Sequence, residues 1–212
     1  MNVKQDILVW DIPTRIFHWL LVLCFAGAWL TSESERLQMI HYAFGYSACA
    51  LVLFRLVWGL VGTKYARFTQ FVKGPQEMMG HFKHFMKGDQ DASPGHNPVG
   101  GIVMVGLMLL ILLIGFTGFL SVKEFLGGFM SEAHEAIASL ALALVFVHIA
   151  AAVIMSLLQR ENLVKAMVNG KKRGLSEQAI RFPQYTVGLL LLMGWGTFFY
   201  LVLTGALPSL TQ

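Results

Sequence analysis

Charge is scarce in this chain. Only 13% of its 212 residues are Asp, Glu, Lys or Arg, against 56% hydrophobic residues. The length would allow one or two soluble domains, but so few charges and a mean hydropathy of +0.61 point to a membrane protein. Cysteine is scarce too. Cys24 and Cys49 are the only two, both fall within apolar runs, and they read as small packing residues and not as a disulfide or redox pair. No Cys-x-x-Cys-His occurs, which excludes covalent attachment of a c-type haem. The first apolar run has no small-x-small cleavage site. A polar, mixed-charge stretch precedes it, and it carries Arg15, His18 and two tryptophans, so it does not read as a cleaved signal peptide. No internal repeat is strong enough to suggest a duplicated transporter.

Long apolar runs are what the chain does have. Five are long enough to cross a hydrocarbon core of about 30 Å: Arg15–Thr31, Ile40–Val61, Val99–Val122, Ala133–Leu158 and Thr186–Leu207. The first is the shortest, and Trp10, His18, Trp19 and Trp29 suit interfacial positions along it. The predicted class is therefore all-α, an integral membrane helix bundle. It comprises a four-helix domain over residues 1–182 and a further transmembrane helix over 183–212.

The cations set its orientation. Lys4 and Arg15 precede the first span, Lys64, Arg67, Lys73, Lys83 and Lys87 follow the second, and Arg160, Lys165, Lys171, Lys172, Arg173 and Arg181 follow the fourth. Arg36 and Lys123 stand alone in the two opposite loops. The positive-inside rule then puts the N-terminus in the cytoplasm and, with five spans, the C-terminus outside. These charges flank spans and do not alternate with stacking aromatics, so no nucleic-acid role is expected. The inner loop over 62–98 holds an expected amphipathic helix, Gln76–Lys87, lying on the membrane surface, and Asn97 or Gly95 is a candidate cap for the third span. The short outer loops leave no room for an external domain.

Four histidines sit toward the ends of these spans, where a buried imidazole is costly unless something uses it. They are His18, His41, His134 and His148. His134 and His148 are fourteen residues apart on one helix, about 21 Å along its axis and about 40° from sharing one face. The alternating direction of the spans matches depths in two pairs, His41 with His134 near the outer face and His18 with His148 nearer the inner one. Two bis-histidine haem sites follow from that topology.

Each outer histidine is followed on its own face by small residues, Gly45 and Ala48 after His41, and Ala138 and Ala141 after His134. They leave a slot for a flat ring system. The alternative is that small residues simply let helices pack closely. Arg55, fourteen residues after His41, lies at the inner site, where its guanidinium either pairs with a haem propionate or snorkels to the interface.

The other histidines read as solvated or headgroup-facing. His81 and His84 have no second ligand pair nearby, and His96 precedes Asn97–Pro98, where capping or solvation competes with lining a quinone pocket. His134–Glu135 opens no zincin motif, because Ala138 stands where the second histidine would be. Glu132 and Glu135 read as interface carboxylates or as a proton relay at the haem edge.

Taken together, several stretches resemble the bacterial cytochrome b561 and Ni/Fe-hydrogenase b-type cytochrome family. They are "VWDIPTRIFHWLLV", "HYAFGY…FRLVWGLVGTKYARFTQFVKGP", "GHNPVGG", "TGF" and "EAHEAIA…LVFVHIAAAVIMSLLQRENLVKAMVNGKKR". The likeness covers roughly residues 6–173. It implies a four-helix cytochrome of the bacterial inner membrane with two haem b groups. Such a protein carries electrons between the quinone pool and a partner such as a hydrogenase, a c-type cytochrome or, in one branch, superoxide. The resemblance makes His18, His41, His134 and His148 the axial ligands of the haem irons, in agreement with the depth argument. The competing function is a self-contained quinone reductase oxidising superoxide or another small donor at the outer face, beside Arg36 and Lys123. A polytopic transporter or assembly factor without haem is the non-redox alternative. The fifth span, with no histidine or charge, departs from the four-helix pattern and is read as a docking or peripheral packing helix.

Overall fold

The computed structural model describes residues 4–70 and 98–211. The expected surface helix Gln76–Lys87, His81, His84, His96 and the candidate caps Gly95 and Asn97 lie outside the described residues. Five helices are long and apolar enough to cross a membrane: α1 (Ile12–Thr31), α2 (Gln38–Val61), α3 (Pro98–Val122), α4 (Gly128–Gln159) and, after the short α5 (Leu163–Asn169), α6 (Tyr185–Leu203). A last turn, α7 (Pro208–Thr211), follows.

Local chemistry sets the boundaries. Asp11 caps α1 by accepting the Thr14 N–H at 2.8 Å. Pro13 is tolerated in that first turn, where a missing N–H breaks no helical bond. Helix α4 starts five residues earlier than the hydropathy suggests, after a turn in which Glu124, Leu126 and Gly127 all have positive φ. Helix α6 stops at Leu203, not Leu207. Gly205 adopts φ +69°, its N–H returns to Val202 O at 3.0 Å, and the Ala206 N–H returns to Leu201 O at 2.9 Å. That is the two-bond Schellman ending a glycine permits.

Helices α1, α2 and α6 pack on one another, and α3 bridges α2 to α4. The buried centre is Phe17, Cys24, Ala48, Leu51, Val52, Met108 and Ile111. Both cysteines are free thiols in this packing. Trp195 of α6 donates its indole N–H to Cys24 Sγ at 3.3 Å, which ties the fifth span to α1. Helix α4 behaves differently. It packs along α3, touches α1 and α2 at most marginally, and Ala141 is the one residue along it that is buried.

The basic end carries a feature that the hydropathy does not signal. Strands β1 (Gln5–Leu8) and β2 (Lys171–Gly174) pair antiparallel, Gln5 opposite Gly174 and Leu8 opposite Lys171. They close over a second apolar cluster of Ile7, Val9, Trp10, Tyr65, Ala166 and Ile180. Trp10, expected at the interface, is therefore buried here, whereas Trp19 and Trp29 are partly exposed. Burying each large side chain of this cluster contributes about 1.5–3 kcal/mol, enough to hold a four-residue strand that would not persist alone. Gly170 makes the junction possible. Its φ is +80°, its carbonyl accepts the N–H groups of Val9 and Trp10 at 2.8 and 3.0 Å, and a Cβ there would lie 2.6 Å from Trp10 O. Arg15 and Trp19 of α1 donate to Val168 O at 2.6 Å and Met167 O at 3.1 Å, at the C-terminus of α5 where donors and positive charge are favoured.

Lys172 points into this cap, mostly buried, with Glu161 at 3.7 Å. Burial pushes its ammonium below the usual lysine range, and Glu161 pulls it partly back.

Candidate functional site

The histidines of α2 and α4 meet at the end of the bundle away from the basic loops. The His41 and His134 ring centres are 6.1 Å apart, with their planes at 74°. Each ring is anchored through Nδ1 to a backbone carbonyl of the helix before its own. His41 bonds Ala28 O at 2.8 Å, and His134 bonds Ile114 O at 2.9 Å. A carbonyl only accepts, so Nδ1 carries the proton and Nε2 keeps its lone pair. This is the arrangement in which a metal-ligating imidazole is oriented by its other nitrogen. Two metal–imidazole bonds of about 2.0 Å, plus about 1 Å from each nitrogen to its ring centre, require ring centres about 6 Å apart. The pair meets that spacing.

Both anchors depend on close helix approach. On α1, a Cβ at Gly27 would lie 2.5 Å from the Phe44 ring. On α3, a Cβ at Gly118 would lie 2.9 Å from His134 Nδ1 and Cε1. Gly118 is one helical turn after Ile114, so its bare backbone lets the imidazole reach the Ile114 carbonyl. Gly118→Ala should therefore displace His134, lowering stability by about 1–3 kcal/mol as overpacking does. It should also shift the absorption of any haem bound there; thermal denaturation followed at the Soret band measures both.

At the basic end, His18 of α1 and His148 of α4 lie close enough for their charged forms to repel. His18 Nδ1 is buried without a hydrogen-bond partner, unlike its counterparts in the other pair. Arg55 is 1% exposed, so its guanidinium does not snorkel to the surface. One of its nitrogens donates to Ala66 O at 2.8 Å and its carbon sits 5.0 Å over the Phe68 ring. The other terminal nitrogen, Nη1, is buried without a partner. A guanidinium nitrogen left unpartnered among the described residues fits an anionic group such as a propionate.

The small residues divide. A Cβ at Gly45 would meet nothing within 4 Å, and Ala138 is half-buried, so both border open space beside the outer pair. Ala48 and Ala141 are fully covered, and there the protein itself fills the space. Glu132 and Glu135 are exposed. Among the described residues, no three or more His, Cys, Asp or Glu side chains cluster as a metal site.

Asp11 is the residue sequence reasoning missed. Beyond capping α1, its buried carboxylate accepts the Trp58 indole N–H at 3.1 Å and the Thr63 hydroxyl, and its charge reaches Arg55. It thus joins the start of α1 to the end of α2, beneath the basic-end pair. The signal was present as an Asp two residues before Pro13 at a span's start.

Five apolar spans, with the His41 and His134 imidazoles meeting where α4 stands off from α1 and α2, define a polytopic membrane protein with an internal histidine pair. A family model for prokaryotic cytochrome b561 matches residues 9–170, and the chain belongs to that family. It is a multi-pass membrane b-type cytochrome, which implies haem b and electron transfer. The matched region includes all four histidines and ends before α6.

Among curated relatives, the probable Ni/Fe-hydrogenase 1 B-type cytochrome subunit of Escherichia coli strain K12 is 29% identical over 141 residues, or 55% of this chain and 60% of that protein. The chain thus spans about three-fifths of that relative's length. The probable Ni/Fe-hydrogenase B-type cytochrome subunit of Rhizobium leguminosarum bv. viciae is 23% identical over 80% of this chain and 90% of its own length. No solved structure matches the chain.

Proposed function

We propose that the chain holds two haem b groups, one between His41 and His134 and one between His18 and His148. Through them it carries electrons between the quinone pool and a redox partner. The observation that carries this reading is the His41–His134 pair, whose ring centres are 6.1 Å apart and whose carbonyl-anchored Nδ1 atoms leave both Nε2 atoms free to bind.

Bound haem b supplies one-electron chemistry at its iron. The chain's part is to orient and to enclose. Ala28 O and Ile114 O hold two of the imidazoles in the ligating tautomer. His41 with His134, and His18 with His148, would hold haem b through their imidazole nitrogens, and ligation by two imidazoles would favour electron transfer over oxygen binding. Arg55 Nη1 offers a charge-assisted bond to a propionate at the basic-end site. Gly45 and Ala138 keep the space beside the far-side pair free of side chains.

The concentration of Lys and Arg in the loops at one end supports insertion in the bacterial inner membrane, with the N-terminus cytoplasmic and the C-terminus periplasmic. The names of the relatives support a hydrogenase as partner in the electron path.

The test is spectroscopic. Purified protein, reduced with dithionite under argon, should display a b-type α-band. That band should fade on addition of a short-chain quinone without any protein partner. Absence of the band removes haem from the account, and a band that quinone leaves untouched removes the quinone pool.

A further inference from the structure

The corner where α4 turns into α5 encloses a cleft of about 340 Å³ that the histidine sites do not use. Val153 and Leu157 of α4, 50% and 74% exposed, and Val164 of α5 form its apolar lining. Ser156, Arg160, Glu161 and Asn162 form its polar lining. Arg160 closes α4 in the left-handed region, at φ 51° and ψ 34°, and its side chain is exposed. Asn162 spends its carbonyl oxygen on the Lys165 N–H at 2.7 Å, which leaves its amide N–H groups to donate.

The one acid lining the cleft, Glu161, is already engaged. Glu161 accepts the Arg173 N–H at 2.6 Å and faces the Lys172 ammonium at 3.7 Å, so its charge is met on the strand side. Lys165, Lys171 and Arg173 are exposed nearby. The cleft is therefore apolar along α4 and bordered by basic side chains where α4 turns into α5. Val153 and Arg160 are seven residues apart on or just beyond α4, about 10 Å along the axis, which is the step from acyl chain to headgroup.

The geometry points to a binding site for an anionic phospholipid, with an acyl chain against Val153 and Leu157 and the headgroup phosphate on Arg160 and Asn162. Charge complementarity chooses this occupant over a zwitterionic lipid, because among the described residues the one acid lining the cleft is already paired and receives no choline or ethanolamine cation. The site belongs to the end of α4 and is independent of whether the histidines hold haem.

The experiment equilibrates purified protein with vesicles of equal phosphatidylglycerol and phosphatidylcholine, re-isolates it and quantifies the retained lipid by mass spectrometry. Wild type should retain phosphatidylglycerol over phosphatidylcholine at about five times the ratio in the vesicles, as one basic residue at a membrane surface provides. Arg160→Gln should bring the ratio to that of the vesicles, and Lys64→Gln, an exposed cation outside the cleft, should leave it unchanged. Leu157→Trp, which fills the cleft and keeps the charge, should reduce retention of both lipids, with helicity by circular dichroism confirming the fold of each variant. Unchanged enrichment in Arg160→Gln overturns the site. An equal loss in Lys64→Gln also overturns it, by replacing the site with a diffuse basic surface.

Discussion

His134→Ala is expected to yield a folded protein carrying half the wild-type haem, and His41→Ala to remove the same half. The fold should survive because neither deletion strands a carbonyl. Ile114 O still accepts the Thr117 hydroxyl at 3.1 Å, and Ala28 O still accepts the Thr31 hydroxyl at 3.2 Å. Losing a half-buried imidazole from α4 leaves a helix already packed along α3 and little engaged with α1 and α2. His18→Ala and His148→Ala should each remove the other half. The double variant His41→Ala/His134→Ala should lose no more haem than either single one, because one site is already empty in each. Haem per polypeptide, measured alongside helicity, reads this out. Loss of the same haem from His41→Ala and His148→Ala would mean that the pairs are crossed.

Asp11→Ala should be the most destabilising single change outside the histidines. It removes the α1 cap, typically about 1 kcal/mol, and strands the Thr14 N–H, the Trp58 indole and the Thr63 hydroxyl, all of which converge on that carboxylate. It also withdraws a charge that favours the buried Arg55 guanidinium, and each buried donor left unsatisfied costs about 1–3 kcal/mol. These contributions overlap, so the total lies nearer the larger figure than their sum. Asp11→Asn retains an acceptor for the cap and should lose less. Trp58→Phe, which deletes one hydrogen bond and little volume, should cost about 1 kcal/mol. Thermal unfolding in detergent followed by circular dichroism ranks the three. An Asp11→Ala protein as stable as Trp58→Phe would mean that the carboxylate does not organise the basic end.

The spans and the meeting of His41 with His134 were legible because bilayer thickness and loop charge act on long stretches, and hydropathy reads long stretches well. What escaped depended on single residues. Helix α6 ends at Gly205 because of its φ, although apolar residues continue to Leu207. The strand pair joins residues 5–8 to 171–174 across most of the chain, and four residues of β1 carry too little pattern to announce a partner so distant. The loop chemistry placed Arg55 between two readings, and only its burial and its contacts with Ala66 and Phe68 decided against exposure. Gly118 was visible only as part of "TGF"; its significance needs the His134 ring brought against it from another helix. Ala48 and Gly45 share a helical face, yet one is sealed by the bundle and the other borders open space, a difference that spacing along α2 does not encode.

The central claim is two haems on one chain, held by two histidine pairs. Its most direct measurement is the haem b content of the purified wild-type protein by pyridine haemochrome, set against polypeptide concentration from amino-acid analysis. The account predicts two haems per chain. A saturated value of one would contradict it, leaving either the His41–His134 or the His18–His148 pair without a cofactor.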